Sequence, residues 1–138
     1  LDGYLVEDQV GFLLRRAHQR HVALFLEAMA PLDLTPMQFT ALIKVVELGR
    51  VTQNQLGRLV ATDPATIQGV VRRLSGRGLV RRATDPMDRR TAVLAPTPAG
   101  LDAAGRAVAL ARRITEATFE PLEDGERARL LALLRKLS

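Results

Sequence analysis

The sequence predicts a mainly α fold with one small β-hairpin, and three observations carry that prediction. Apolar residues recur at i, i+3, i+4 and i+7 through most of the 138 residues. Four stretches carry helix-start signals, a capping residue followed by proline or by glutamine three positions on: Thr35-Pro36-Met37-Gln38, Thr52-Gln53-Asn54-Gln55, Asp63-Pro64 and Thr97-Pro98. Helical spacing gives way near residues 79–95, where two short runs flank Asp85-Pro86 and Asp88-Arg89-Arg90, the pattern of strand, turn and strand.

Residues 5–30 read as one long amphipathic helix, with Val6, Val10, Leu13, Leu14, Ala17, Leu24, Phe25 and Ala28 along one stripe. Such a length exceeds what one small domain needs to cover itself, so part of the stripe is expected to face a second subunit. His21 falls within the stripe. It is either a hydrogen-bonded core histidine or a polar anchor in an internal pocket. Pro31 stops this helix, and Thr35 starts another whose core face is Phe39, Leu42, Ile43 and Val46, ending at Gly49. Arg50-Val51 is expected to add a minimal strand. The helix from Thr52 turns Leu56, Leu59 and Val60 inward. Residues 63–76 form the next helix, with Ile67, Val70, Val71 and Leu74 inward. At about 100° per residue, Ala65, Gln68, Gly69 and Arg72 point the other way, flanked by Thr66 and Arg73. Strands at 79–84 and 91–95 enclose the basic turn. A helix opened by Thr97-Pro98 runs to Pro121, and a last helix over 124–137 carries Leu130, Leu131, Leu133, Leu134 and Leu137.

Two short helices with a tight turn between them match helix-turn-helix geometry. The basic-tipped hairpin that follows makes the unit a winged helix-turn-helix. With no repeat, linker or low-complexity tract, residues 1–138 read as a single domain. Its winged helix-turn-helix spans about 35–97, and a helical dimerisation layer is expected from about 5–30 and 98–137.

Charge places the partner. The net charge is +5, and residues 58–90 hold eight arginines against three aspartates, a surplus of five. The rest of the chain holds twelve basic and twelve acidic residues, so the whole excess lies on this helix and hairpin. A local arginine-rich patch is the footprint of a polyanion binder. Tyr4, Phe12, Phe25, Phe39 and Phe119 all lie outside it, and there is no Trp. Binders of single strands and RNA interleave aromatics with cations so that bases can stack. Double-stranded DNA is therefore the expected partner.

Other classes are disfavoured. Two histidines, no cysteine, no metal-ligand spacing and no glycine-rich phosphate loop argue against an enzyme, a metal site or a cofactor. No apolar run approaches the roughly 18 residues of a membrane span, so no membrane partner is expected. Zero cysteine is compatible with a cytoplasmic location. The chain opens on Leu1 rather than Met, and residues before it are expected.

The sequence resembles the MarR family of bacterial transcriptional regulators along essentially its whole length. The likeness rests on LTPMQFTAL (34–42), QNQLGRLV (53–60), TIQGVVRRLSGRGLVRR (66–82), DPMDRR (85–90) and TPAG (97–100), in that order. Two positions depart from the family pattern. Pro96 stands where leucine usually precedes the threonine, which bears on the register at the end of the return strand, and Ser75 stands where an acidic residue is common. The stretch EDQVGFLLRRAHQRH (7–21) looks like the branch that controls breakdown of aromatic acids.

The resemblance implies an obligate homodimer on a pseudo-palindromic operator, and repression that a small molecule relieves. The 63–76 helix would then sit in a major groove, with Gln68 pairing adenine, Pro64 and Ala65 meeting thymine methyls, and Thr66 bonding a base or phosphate. Arg72 and Arg73 would hold phosphates. At the wing, Asp88 would present Arg90 to a minor groove while Arg89 takes phosphates. The plainer reading of Asp88–Arg90 is an ordinary exposed turn pair of small weight. The family's effector site implies Arg16, Arg20 and His21 as anion partners and Met37, Phe39 and Leu42 as apolar walls. The effector would be an aromatic carboxylate or its CoA thioester. A competing function is a winged-helix protein-interaction module or a nonspecific architectural DNA binder; preference for a native over a scrambled duplex separates these.

Overall fold

The computed structural model describes residues 1–138. In chain order it contains α1 (Val10–Met29), α2 (Pro36–Leu48), β1 (Val51–Thr52), α3 (Gln53–Leu59), α4 (Pro64–Gly76), β2 (Val80–Thr84), β3 (Ala92–Pro96), α5 (Pro98–Phe119) and α6 (Asp124–Leu137). Every anticipated cap forms. Thr35 Oγ1 accepts from Gln38 N at 3.2 Å while Gln38 Oε1 accepts from Thr35 N at 3.2 Å, a reciprocal capping box. Thr52, Asp63 and Thr97 each accept the backbone N–H three residues on. Gln9 makes no such bond, and α1 starts only at Val10, after a 3-10 turn over Val6–Asp8. The expected helix from residue 5 is thus shorter by a turn.

The core gathers on α2. Ala41, Leu42 and Val45 are fully buried there, against Phe25 and Met29 of α1, Leu56 of α3, Leu74 of α4 and Leu94 of β3. All four apolar residues expected of α4 are buried. Leu59 is not: it is 47% exposed. Seven residues make too short a helix to turn Leu59 inward as well once Leu56, Gly57 and Val60 occupy the face toward α4.

The hairpin gains a third strand. The sheet is antiparallel in the order β1-β3-β2, with Val51 opposite Leu94 and Val80 opposite Pro96. Pro96 costs no ladder bond here. Thr97 N donates to Leu79 O at 3.2 Å, so the Val80–Pro96 pair is a non-hydrogen-bonded one and the missing N–H faces the β1 side. β1 has already ended there.

Two clasps join the winged unit to its surroundings, and a third joins α5 to α1. Arg77 donates through both Nη atoms to Leu32 O (2.7 Å) and Asp33 O (2.9 Å), tying the end of α4 to the α1–α2 connection. Thr97 Oγ1 donates to Gly78 O, and Gly100 packs directly on the Leu79 carbonyl, leaving no space for a Cβ. Arg20 donates to Thr118 O (2.8 Å) and Ala117 O (2.9 Å), holding the end of α5 to α1. Beyond it α6 is tethered by Arg127, which pairs with Glu116 at 2.9 Å and lies over the Phe119 ring. No helix is long and apolar enough to cross a membrane.

Candidate nucleic-acid interface

Burying the α4 stripe forces its opposite face outward. Pro64, Ala65, Thr66, Gln68, Arg72 and Arg73 are all exposed. At the head of the helix, Asp63 accepts from Thr66 N and from Thr66 Oγ1, both at 2.8 Å. The backbone N–H of Thr66 and then its hydroxyl hold the Asp63 carboxyl below its ordinary value. The Thr66 hydroxyl proton is thereby committed, so this oxygen can accept from a base N–H but has no proton left to give a phosphate.

The wing tip is built by two aspartates. Asp85 Oδ1 accepts from Met87 N at 2.8 Å, and Asp85 N donates to Thr91 O at 2.9 Å. Asp88 accepts from Arg90 N at 3.0 Å and from Thr91 Oγ1 at 3.1 Å. These bonds, the Arg90 N–H first, lower the Asp88 carboxyl. Arg90 Nε stands 3.5 Å from the same carboxylate while its side chain remains 94% exposed. The arginine is aimed but not covered. Arg89 is exposed beside it and lines the same shallow wing groove.

Of the eight arginines in the basic stretch, Arg77 is held by the α1–α2 carbonyls rather than presented to a partner. Sequence reasoning overlooked Arg82 and Gln53. Arg82 lines the wing groove with Arg89 and Arg90, and also a second groove of about 310 Å³ with Gln53, Gln68, Arg72 and Ser75. Strand alternation could have found it, since it sets Val80, Arg82 and Thr84 on one face and Arg81 on the other.

The candidate effector residues scatter more. A cavity of about 210 Å³ between α1, α2 and α5 brings His21 and Phe39 together with Phe25, Pro36, Thr40, Ala111, Ile114 and Thr115. Leu42 does not line it, because it is fully buried within the core cluster that includes Leu56, Leu74 and Leu94. Met37 packs against the core edge instead. Arg20 is engaged by the α5 carbonyls, and Arg16 is exposed with its guanidinium 6.0 Å from the Phe12 ring. Thr118 Oγ1 gives its proton to Ile114 O at 2.8 Å, so the 2.9 Å contact from His21 Nδ1 is an N–H donation and Nε2 is left as an acceptor. Burial, and then the nearby His18, lower the His21 pKa and keep the ring neutral. Phe25 and Phe39 meet edge-on at 5.7 Å.

This geometry has close counterparts. Residues 34–92 match the MarR family. The chain is 40% identical over 134 residues to the HTH-type transcriptional repressor NicR of Pseudomonas putida, covering 97% of this chain and 85% of that one. BpsR of Bordetella bronchiseptica, whose DNA binding is regulated by 6-hydroxynicotinic acid, superposes with a TM-score of 0.92 at 39% identity over 97% of this chain and 96% of that chain. A mutant of Escherichia coli MarR complexed with operator DNA gives a TM-score of 0.88 at 25% identity, covering 98% and 99%. Identity spans the terminal helices as well as the winged unit, and these relatives are regulators rather than enzymes. The chain belongs to the MarR family and is a DNA-binding transcriptional regulator.

Proposed function

We propose that the protein is a homodimeric repressor that reads a pseudo-palindromic operator and is released by a single-ring aromatic acid. The observation that carries the reading is the pairing of two exposed, pre-shaped elements on one unit: the outward face of α4 and the Asp88-held Arg90 of the wing. Two copies of α4 reach successive major grooves about 34–36 Å apart. Gln68, Pro64, Ala65 and Thr66 read bases, Arg72, Arg73 and Arg89 take phosphates, and Arg90 enters the flanking minor groove.

The dimer layer consists of α1, α5 and α6. Val10, Leu13 and Leu14 in α1 and Leu130, Leu131, Leu133 and Leu137 in α6 are 37–70% exposed in the isolated protomer. Apolar exposure repeated along two terminal helices is the mark of an unpaired interface. A repressor of this kind works in the cytoplasm, with the DNA.

The effector reading rests on the 210 Å³ cavity. Sites for drug-sized ligands run about 300–1,000 Å³, so this one suits a single ring and leaves a CoA thioester mostly outside. Neutral His21 offers the Nε2 lone pair to a ring hydroxyl or N–H, and Phe25 and Phe39 face the ring. Hydroxylated nicotinic acid, the regulator of BpsR, has these features. The ligand weakens DNA binding only by favouring a half-site spacing other than the DNA-competent one.

Fluorescence anisotropy tests all of this with the protein's own upstream intergenic duplex and a scrambled duplex, each with and without 6-hydroxynicotinic acid. Tight binding confined to the native duplex and loosened by the acid is expected. Equal, weak binding to both would leave the architectural alternative.

A further inference from the structure

We propose that Arg82 and Arg72 clamp one DNA backbone phosphate at the junction between the recognition helix and the wing, with Gln53 positioning Arg82. The inference rests on the DNA-reading function above and adds to it a contact carried by β2 and α3. Arg82 is common to two grooves: one beside α4, with Gln53, Gln68, Arg72 and Ser75, and one beside the wing, with Arg89 and Arg90. A duplex that lays its major groove on α4 and its next minor groove on the wing passes one sugar-phosphate strand between the two, over this residue. None of the side chains lining the α4 groove is acidic, and two are arginine. Anion affinity there meets no opposing charge.

Gln53 supplies the second observation. Its Oε1 is buried with no hydrogen-bond partner, in a protein whose other buried side-chain polar atoms are all satisfied. A buried acceptor left alone is unfavourable, so such an atom marks a partner that arrives later. The donors that share its groove are Gln68, Ser75 and the guanidinium groups of Arg72 and Arg82. A guanidinium has five N–H donors in a fixed fork, enough to bond Oε1 with one edge and a phosphate with the other. Gln53 is therefore a positioning residue: it fixes the arginine that holds the strand.

The clamp is independent of sequence, which makes it separable from base reading. Each phosphate contact contributes a slope of about 0.9 to the logarithmic salt dependence of binding. Arg82→Ala removes one of the two cations from each clamp, so with two clamps per dimer the slope becomes shallower by at most about 1.8 and binding weakens by at most about thirtyfold at 0.15 M salt. The experiment measures anisotropy of the upstream duplex and of a scrambled duplex from 0.05 to about 0.3 M salt. The parent, Arg82→Ala, Gln53→Met and the double variant are compared, and thermal melts confirm that each is folded. The expected result is the same slope loss on both duplexes for Arg82→Ala. A smaller loss is expected for Gln53→Met, vanishing in the Arg82→Ala background. An unchanged slope for folded Arg82→Ala overturns the clamp, and additive effects of the two substitutions overturn the role of Gln53. A parent that does not distinguish the duplexes sinks the operator reading instead, while the slope comparison still decides the clamp.

Discussion

Gly100 and Gly105 stand five residues apart in the same helix, and alanine at each should move stability in opposite directions. Both gain helix propensity, about 0.5–1 kcal/mol from the restricted unfolded chain. At Gly105 the new Cβ meets nothing within 4 Å, so the gain stands alone. At Gly100 the Cβ collides with the carbonyl oxygen of Leu79 and lies 2.9 Å from its carbonyl carbon. Both are backbone atoms and cannot rotate aside. The first turn of α5 must retreat by more than about an ångström, a shift a close-packed interior does not absorb. Overpacking of this kind costs about 1–3 kcal/mol. The retreat also breaks the 3.2 Å bond from Thr97 N to Leu79 O and disturbs the Thr97 cap, about 1 kcal/mol each. Net destabilisation of about 2–4 kcal/mol corresponds to a Tm lower by roughly 8–16 °C, against a rise of about 2–4 °C for Gly105→Ala. Circular dichroism melts at one protein concentration are the assay, since a dimer's Tm depends on concentration. A Gly100→Ala protein melting no lower than Gly105→Ala would refute the reasoning.

Arg90→Ala should weaken operator binding by at least tenfold, as expected for a desolvated minor-groove arginine worth more than about 1.4 kcal/mol, with the melt unchanged. Unchanged affinity would remove the wing from recognition. Leu133→Asp places a charge on the exposed leucine face of α6 and should shift the protein to monomer in analytical ultracentrifugation, with operator binding lost; an intact dimer would exclude that face from the interface. His21 has its pKa lowered from 6.5, so below pH 6.5 the unfolded chain takes up a proton before the folded one does. Stability should therefore be level above pH 6.5 and decline as pH falls below it. Effector response should fade in the same direction, since a proton on Nε2 removes the acceptor. The decline should be absent in His21→Gln, and an equal decline in both proteins would clear His21. The lowered Asp63 and Asp88 carboxyls act in a separate window, with their contributions lost only as pH falls below 3.8.

What the sequence made legible was local. A threonine or aspartate three residues before the N–H it accepts is visible in a four-residue window, and all four such starts form. The outward face of α4 follows from the period of its apolar stripe. What escaped depends on distant partners. Arg77 and Arg20 read as ordinary surface cations, yet each clasps carbonyls 45 or 98 residues away. Leu42 belongs to the right helix but to its core side, since a 3.6-residue period does not say which neighbour occupies which flank. Helix propensity does not separate Gly100 from Gly105, and the approach of the Leu79 carbonyl does. Pro96 reads as a threat to the return strand until the register puts its absent N–H where no strand remains.

Helix α5 is fastened at both ends to different bodies: by Thr97 and Gly100 to the winged unit, and by Arg20 and Thr118 to α1 beside the cavity lined by His21 and Phe39. Its 22 residues make a lever about 33 Å long at 1.5 Å per residue. Tilting that lever by about 3° at the cavity end swings the far end by roughly 1.7 Å. Two protomers moving oppositely then change the half-site separation by about 3.4 Å, one base-pair step of the duplex. Under the effector reading proposed above, a ring between His21 and Phe39 would need to shift its walls by only a few tenths of an ångström to throw both recognition helices out of phase with the DNA.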